Sequence, residues 1–283
     1  MRRAKQLLTP RIEELLIAND EGKWKPEATE DDSNVLNWLI DTVKGRDRNA
    51  ETLAHVEVLL ALAAVHTTLL RMVNVLYDIT QAGPSLIGEL VAEIESVARS
   101  RKQGDCWDKA AYDSLYKLDS VITESQRMSP PTTLGMKRLF REDYTFQTNG
   151  LHIKKGTYTA MPIYAIENDA AHTSNPEAFD GLRSYRQMEE LKAGDPDADT
   201  NQFRFSTPTR TALNFGYGRH ACPGRHFASL VIKILFVRLL TEYDFKFLPG
   251  SEKPGNLMAH EFLFPKPWTR MLIRRKAKGI CPY

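Results

Sequence analysis

The chain has 283 residues, of which 42% are hydrophobic and 26% are charged, a composition typical of a folded soluble protein and not of a disordered one. Its formal net charge of +2 is too small to indicate nucleic-acid binding by itself. The three cysteines, Cys106, Cys222 and Cys281, are an odd number at wide spacings, so they predict neither a disulfide framework nor a zinc site and suit a reducing compartment.

Targeting and membrane-spanning segments are not expected from the sequence. The N-terminal segment carries basic residues but no long apolar core, which argues against a signal peptide or a membrane anchor within this chain. The longest uninterrupted apolar run covers residues 58–65, far short of the roughly 20 residues that cross a bilayer. We therefore expect no transmembrane segment.

Helices dominate the first part of the chain. Two short amphipathic helices are predicted over residues 1–20 and 34–44, because apolar side chains recur at helical spacing in both. A long helix follows over residues 48–80, and its middle is apolar nearly all round, which favours a core helix over a surface helix. A Gly-Pro pair separates it from a further amphipathic helix over residues 85–101.

The long helix contains the sequence AAVHTT at residues 63–68, where small side chains stand next to hydroxyls. Small residues in a buried helix leave room beside the backbone, and a threonine can hydrogen-bond back to its own helix. A close crossing with a second helix explains the same small residues equally well. For His66, a core histidine hydrogen-bonded to a carbonyl is the corresponding alternative.

A helix over residues 109–128 ends in the sequence ESQR. Glu124 and Arg127 stand at i and i+3, so they share a helix face and can pair. On a surface such a pair contributes about 0–1 kcal/mol. Taken alone, the two residues are most simply interpreted as a solvated ion pair.

Between residues 136 and 160 the pattern changes to short strands, with a hairpin turn at Asn149-Gly150. Arg138 precedes this sheet and is, taken alone, compatible with an ordinary surface arginine. Residues 173–213 then look like an irregular segment, although a structureless stretch of this length is uncommon in a compact domain.

The stretch FGYGRHACPGRHF, residues 215–227, carries the most specific chemistry. Pro223 suits the first position of a helix, which we predict over residues 223–242. Cys222 would then be the N-cap, where the helix dipole favours a thiolate. The neighbouring glycines remove side chains, so a flat partner can approach the sulfur. A buried thiolate under a flat cofactor is what haem–thiolate ligation requires, and a buried structural cysteine is the alternative.

The sequence FGYGRHACPG resembles the cysteine-loop signature of the cytochrome P450 family of haem–thiolate monooxygenases, and its style is most similar to fungal members. AAVHTT resembles the long distal helix of that family, and ESQR resembles its E-x-x-R helix, in the same order along the chain. The resemblance implies a mainly α fold with small β-sheets, the cytochrome P450 fold, of which this chain is the C-terminal portion, lacking the N-terminal helices and the membrane anchor.

Residues 1–283 are then one partial domain. The implied parts are the long distal helix (48–80), the E-x-x-R helix (109–128), the meander (173–213), the cysteine loop (214–223) and the proximal helix (223–242). Because the N-terminal helices roof the substrate pocket in this family, an apolar face along residues 56–75 is expected to lie exposed in this portion, as an aggregation liability.

The resemblance also implies roles for residues of the cysteine loop. Cys222 is the axial ligand of the haem iron, and Phe215 shields its sulfur from water. Gly218 and Gly224 give the ring room, and His220 faces a propionate.

Further roles are implied outside the loop. Arg138 is offered to a haem propionate, and Ala63 and Ala64 supply the small pair beside the cofactor. Thr67 helps to deliver protons for oxygen activation together with His66, which departs from the acidic residue usual in the family. A buried network that locks the cysteine loop is formed by Glu124, Arg127 and Arg183.

The implied reaction inserts one oxygen atom into a small lipophilic substrate, with terpenoids and other fungal secondary metabolites as the expected class. The cofactor is haem b, with electrons from NADPH through NADPH–cytochrome P450 reductase and with cytochrome b5 as an optional second donor. Two alternatives stay open: a haem-free fragment or interaction protein without catalysis, and a haem–thiolate isomerase or dehydratase.

Basic residues near the cysteine loop would steer an acidic flavoprotein, although ordinary solubilising charges explain them equally well. They are Arg219, Arg225, Lys233 and Arg238. A complete family member is expected at the cytosolic face of the endoplasmic reticulum membrane. The chain alone, without an anchor, is expected in the cytosol, and we expect no nucleic-acid partner.

Overall fold

The computed structural model describes residues 2–24, 34–101, 107–277 and 279. The prediction that the cysteines form no disulfide framework partly concerns Cys106 and Cys281. Both lie outside the described residues. The chain forms two compact units, Met1–Thr67 and Thr68–Tyr283, and each is described by itself.

The first unit is built from helices, as predicted. Helix α1 covers Arg2–Asp20, α2 covers Val35–Thr42, and the long helix α3 covers Ala50–Ala82, continuing into the second unit. The side chain of Asn34 caps α2 by accepting the N–H of Asn37 at 2.9 Å. The small core of this unit contains Ile12, Leu16, Leu39, Ile40, Leu53 and Ala54.

The middle of α3 is exposed, so the prediction of a core helix is wrong for this stretch. Residues 59–67 are all exposed, and Leu59, Leu60 and Leu62 keep between 43% and 46% of their surface accessible. An apolar surface of this kind is normally covered by other side chains, and the described residues do not cover it. The apolar face expected to lie exposed along residues 56–75 is therefore present over residues 59–67 and at Leu69, whereas Val75 is fully buried and the prediction is wrong there.

By length and composition alone, α3 could also cross a membrane. Its longest uninterrupted apolar run is too short to indicate this. The second half of the helix argues against that use, because it carries buried charges with protein partners. Arg71 donates to the Ser129 carbonyl at 2.5 Å, and Asp78 pairs with Lys253. Buried, paired charges are typical of a helix packed in a protein core.

The second unit contains helices α4 to α9. They cover Pro84–Arg99, Lys109–Asp113, Tyr116–Met128, Ile163–Glu167, Arg183–Gly194 and Arg225–Glu242. Its core joins apolar faces of α4, α6 and α9 with the end of α3. Central members of this core are Ile79, Leu90, Ile94, Leu118, Ile122 and Phe236.

Among the described residues of the second unit, four small antiparallel pairs of strands accompany the helices, so the expected mainly α fold with small sheets is confirmed. Strand β1 (Gly135–Leu139) pairs with β4 (Tyr158–Met161), and β2 (Tyr144–Thr145) pairs with β3 (His152–Ile153) across the predicted turn, where Gly150 has φ 71°. The others pair β5 (Tyr243–Phe247) with β8 (Met271–Arg275), and β6 (Leu257–Ala259) with β7 (Phe262–Phe264).

The helix predicted over residues 109–128 is two helices, α5 and α6. A carboxylate from α4 stabilises the new helix start: Glu93 accepts the N–H groups of Lys117 at 2.7 Å and Leu118 at 3.1 Å. Burial raises the pKa of Glu93 to about 7. A partner more than twenty residues away therefore decides the break, and local sequence does not reveal it.

The predicted irregular segment, residues 173–213, contains helix α8, so that prediction is wrong for residues 183–194. Among the residues of α8 only Met188 is buried, which leaves no apolar stripe to indicate a helix. Tertiary contacts hold it instead. The hydroxyl of Ser120 on α6 accepts the first-turn N–H of Tyr185 at 3.1 Å.

Candidate functional site

The cysteine loop is closed by two backbone hydrogen bonds. The N–H of Cys222 donates to the carbonyl of Phe215 at 2.7 Å, and the N–H of Gly216 donates to the carbonyl of Leu213 at 2.8 Å. A short 3₁₀ turn, Gly218–His220, lies between them. Gly216 (φ 74°) adopts a left-handed conformation that favours glycine, so the path of the loop depends on it.

Cys222 is not the N-cap of the following helix, contrary to the prediction. Helix α9 begins at Arg225 with Gly224 as N-cap, and Arg225 Nη1 donates back to the Cys222 carbonyl at 2.8 Å. The turn formed by Pro223 and Gly224 therefore delays the helix by two residues. Cys222 is also exposed, so the prediction of a buried sulfur is wrong for this chain.

The loop residues fit a planar group bound at the thiol. A Cβ built at Gly218 meets nothing within 4 Å, and one at Gly224 meets only Cys222 Sγ, at 3.9 Å. Space is therefore open on both sides of the cysteine, and a thiolate is an established axial ligand of haem iron. The thiol donor and the open space beside it therefore fit a haem, whereas the described residues do not provide the buried surroundings expected for the sulfur.

Three other predicted cofactor residues lie in or near the second unit's loops. Phe215 packs edge-on against Phe205, with ring centroids 5.1 Å apart, and thereby fastens the loop to the core. His220 is exposed, and its Nε2 accepts from Arg219 Nε at 3.3 Å. Arg138 is exposed on β1, and the described residues provide no carboxylate for it, so its guanidinium is accessible to an anion.

The two residues predicted to deliver protons and the small pair predicted beside the cofactor lie on α3 in the first unit, whereas the cysteine loop belongs to the second unit. They are Ala63, Ala64, His66 and Thr67, and all four are exposed. Thr67 Oγ1 donates to the Ala63 carbonyl at 2.5 Å, the back-bond anticipated for threonine in a helix. Exposure rules out the interpretation of His66 as a core histidine within this chain.

The network predicted for Glu124, Arg127 and Arg183 is present. Arg127 donates to both carboxylate oxygens of Glu124, from Nη2 at 2.7 Å and from Nε at 3.0 Å. Arg183 Nε lies 3.2 Å from Glu124 Oε2. Only 3% of the Glu124 side chain is exposed, so the interpretation as a solvated surface pair is wrong.

The network also holds the start of the irregular segment. Arg127 donates to the carbonyl of Pro176 at 2.7 Å, and Arg183 donates to that of Ser174 at 2.5 Å. Glu124 accepts the N–H of Asp180 at 3.0 Å. The triad is therefore a clamp on the backbone of residues 174–180, and its bonds do not reach the cysteine loop itself.

Glu167, at the end of α7, is a site residue that the sequence motifs do not indicate. Its Oε1 accepts the N–H groups of Leu213 at 2.6 Å and Asn214 at 3.2 Å, and its Oε2 accepts Asn214 Nδ2 at 2.6 Å. Burial raises the pKa of Glu167 to about 7. The available signal was an acidic residue closing a short apolar segment, MPIYAIE.

Lys233 does not belong to a basic surface, contrary to the prediction. It is 2% exposed, and its Nζ lies 2.7 Å from Asp119 Oδ2 on α6 and 3.0 Å from the Tyr112 carbonyl. Arg204 lies 3.3 Å from the same carboxylate oxygen. Lys233 falls on the buried face of α9, where its cationic charge is compensated by Asp119.

Replacing Gly216 by alanine should destabilise the protein more than the same change at Gly218. Both residues are left-handed, which costs alanine about 1–2 kcal/mol. At Gly216 the new Cβ would also lie 3.0 Å from the His220 carbonyl, whereas at Gly218 it meets nothing. Urea denaturation of the two variants measures the difference, and equal losses would contradict the geometry of the loop.

Comparisons with known proteins agree with these features. The cytochrome P450 family model matches residues 1–273. Cytochrome P450 monooxygenase AN1598 of Emericella nidulans is 36% identical over 98% of this chain and 49% of its own length. Cytochrome P450 monooxygenase olcJ of Penicillium canescens is 34% identical over 96% and 49%.

Ent-kaurene oxidase P450-4 of Gibberella fujikuroi is 32% identical over 86% of this chain and 47% of its own length. The chain thus spans about half the length of the curated relatives it matches. A family match across nearly the whole chain, with the cysteine loop and the buried Glu–Arg–Arg network in place, leads to one conclusion: the chain belongs to the cytochrome P450 family.

Proposed function

We propose that this protein is the haem-dependent part of a monooxygenase that inserts one oxygen atom into a small lipophilic substrate. The balanced reaction converts R–H, O₂, NADPH and a proton to R–OH, water and NADP⁺. The observation that carries the proposal is an exposed cysteine in a loop with open space at both neighbouring glycines. Membership of the cytochrome P450 family supports the same assignment.

Residues of the chain would hold the cofactor and handle protons. Cys222 would bind the iron, and bound haem would supply the activation of oxygen. Arg138 and His220 would take the propionates. Thr67 Oγ1 carries a proton directed at the Ala63 carbonyl and would pass protons onward, with His66 as the neighbouring relay.

Electrons would come from NADPH through a flavoprotein reductase, with cytochrome b5 as an optional second donor. The exposed Arg219 and Arg238 support an electrostatic contact with an acidic partner, and Lys233 does not take part in it. Relatives named ent-kaurene oxidase support a terpenoid substrate. From the family resemblance alone, we propose the cytosolic face of the endoplasmic reticulum membrane as the location of a complete family member of this kind.

A haem-free interaction protein is the second candidate. The specific observation that favours it is the exposed apolar face of α3, which includes Leu59, Leu60, Leu62, Val65 and Leu69. An apolar surface of this kind is typical of a protein-binding site or of a portion that requires a cover.

Binding of haem through Cys222 separates the two candidates. The purified full chain, reconstituted with haem, reduced and exposed to carbon monoxide, should show the Soret band typical of thiolate ligation. Cys222→Ala should lose the band, while Cys106→Ala, the same change at another cysteine, should keep it. No thiolate-type band from the unaltered chain would refute haem–thiolate ligation by this chain and favour the second candidate.

A further inference from the structure

The end of helix α7 bridges the Glu–Arg–Arg network and the cysteine loop. Asn168 binds Arg127 twice: its Oδ1 accepts from Arg127 Nη1, and its Nδ2 donates to the Arg127 carbonyl at 3.3 Å. The preceding residue, Glu167, binds the backbone at Leu213 and Asn214. Two adjacent side chains therefore connect the network with the entrance of the loop.

The entrance of the cysteine loop, Leu213 and Asn214, is connected to Cys222 through backbone hydrogen bonds. Leu213 accepts the N–H of Gly216, and Phe215, the residue after Asn214, accepts the N–H of Cys222 at 2.7 Å. A displacement of Leu213 and Asn214 would therefore shift the carbonyl that orients Cys222. The network itself binds residues 174–180, so the described residues offer Glu167 as the polar side chain that holds this entrance.

We propose that Glu167 is a positioning residue that fastens the entrance of the cysteine loop and thereby sets the placement of Cys222. The inference rests on the proposed haem-binding role of the loop, but its structural part concerns the chain alone. Glu167 is 6% exposed and accepts two backbone N–H groups, a buried one at Leu213 and a partly buried one at Asn214. Buried backbone N–H groups left without an acceptor destabilise the local structure strongly.

The side-chain amide of Asn214 can hydrogen-bond to Glu167 whether the carboxyl is charged or neutral. Asn214 Oδ1 is buried and accepts no hydrogen bond in the described part of the chain. If the side-chain amide rotates by about 180°, this oxygen can accept a hydrogen bond from a neutral carboxyl or from the side-chain amide of a glutamine. Glu167→Gln should therefore keep the fastening that Glu167→Ala removes.

Burial is the largest influence on the pKa of Glu167, and it is opposed by the backbone donors of Leu213 and Asn214 and then by two arginines. Arg71 on α3 and Arg127 on α6 favour the charged form, while burial opposes it and raises the pKa to about 7. A cavity of about 640 Å³ reaches Glu167 and is lined also by His172, Arg183 and Asp199. Protons from solvent can thus reach the carboxyl.

Amide hydrogen exchange of the full chain without haem tests the proposal. In Glu167→Ala, exchange at Leu213, Asn214 and Cys222 should accelerate by about tenfold or more, because their local structure opens more easily. Glu167→Gln should restore protection to near the original value. Glu177→Ala, an exposed glutamate in the same part of the chain, serves as the control and should change nothing. Unchanged exchange at all three amides in Glu167→Ala would overturn the proposal.

A pH series keeps the test decisive if Glu167→Ala does not fold. Opening the loop returns the carboxyl to its ordinary pKa near 4.5, so opening releases a proton between about pH 4.5 and 7. As the pH rises from about 4.5 to 7, protection of Leu213 and Asn214 in the unaltered chain should therefore fall by on the order of a hundredfold relative to Glu167→Gln, after correction for intrinsic exchange. Identical pH profiles would overturn the proposal. Failure of haem binding by the unaltered chain would instead contradict the proposed function and leave these measurements valid.

Discussion

Glu124→Gln should lower the free energy of unfolding by about 3–5 kcal/mol, the usual effect of breaking a buried ion pair. The carboxylate of Glu124 is shared by two guanidinium groups, those of Arg127 and Arg183, and all three side chains are largely shielded from water. A neutral amide leaves both cations without their counter-ion. It also weakens the hydrogen bond from the Asp180 N–H.

Arg186→Ala supplies the matched control for this measurement. Arg186 lies one helical turn beyond Arg183 on α8 and pairs with Asp180, but 54% of its side chain is exposed. Removing an exposed ion pair should change stability by about 0–1 kcal/mol. Urea denaturation of both variants gives the comparison, and a small loss for Glu124→Gln would show that the network contributes no more than a surface pair.

Lys233→Met should also cause a large loss, of about 3 kcal/mol, because it leaves the buried Asp119 without its closest counter-ion. The value belongs to the lower end of the usual range, since Arg204 remains 3.3 Å from the same carboxylate oxygen. Burial already raises the pKa of Asp119, and Lys233 is the strongest influence opposing that shift. Thermal or urea unfolding measures the effect.

Two further variants test whether an unpaired buried charge explains the loss of stability in Lys233→Met. Arg238→Ala removes an exposed cation from the same helix, and its partner Glu242 keeps Arg275 as a counter-ion at 3.6 Å, so the loss should be less than about 1 kcal/mol. Combining Lys233→Met with Asp119→Asn should recover much of the loss, because the uncompensated charge is removed. No recovery in the double variant would refute the explanation by an unpaired buried charge.

Three separate sets of contacts hold the cysteine loop and the segment before it. The Glu–Arg–Arg network clamps residues 174–180, Glu167 holds the entrance at Leu213 and Asn214, and the aromatic contact between Phe205 and Phe215 joins the loop to the core. The resemblance to the family implied that the network locks the loop. The structure adds the intermediate that makes such an effect physically possible, the adjacent pair Glu167 and Asn168.

Several features could be predicted from the local sequence because they depend on interactions between residues close together in the chain. The spacing of Glu124 and Arg127 puts them on one helix face, and Asn149-Gly150 has the backbone freedom that a hairpin turn needs. Thr67 bonds back to its own helix for the same reason. The position of Arg183 came from the family resemblance, since no local rule connects it with a glutamate 59 residues earlier.

Other features depended on partners distant in sequence. Glu93 splits a helix that periodicity predicted as continuous, and Ser120 helps to start a helix that has no apolar stripe. The apolar pattern of α3 marks a surface that requires cover, but pattern alone does not say whether the same chain supplies it.

The sequence by itself determined the family, the mainly helical class, the cysteine of the loop and the pair Glu124 and Arg127, because these are expressed in short motifs of fixed spacing. Only the tertiary structure decided that Lys233 is buried, that Glu167 fastens the loop and that α9 begins at Arg225. The physical reason is that burial and hydrogen-bond satisfaction depend on which distant segment packs against a residue.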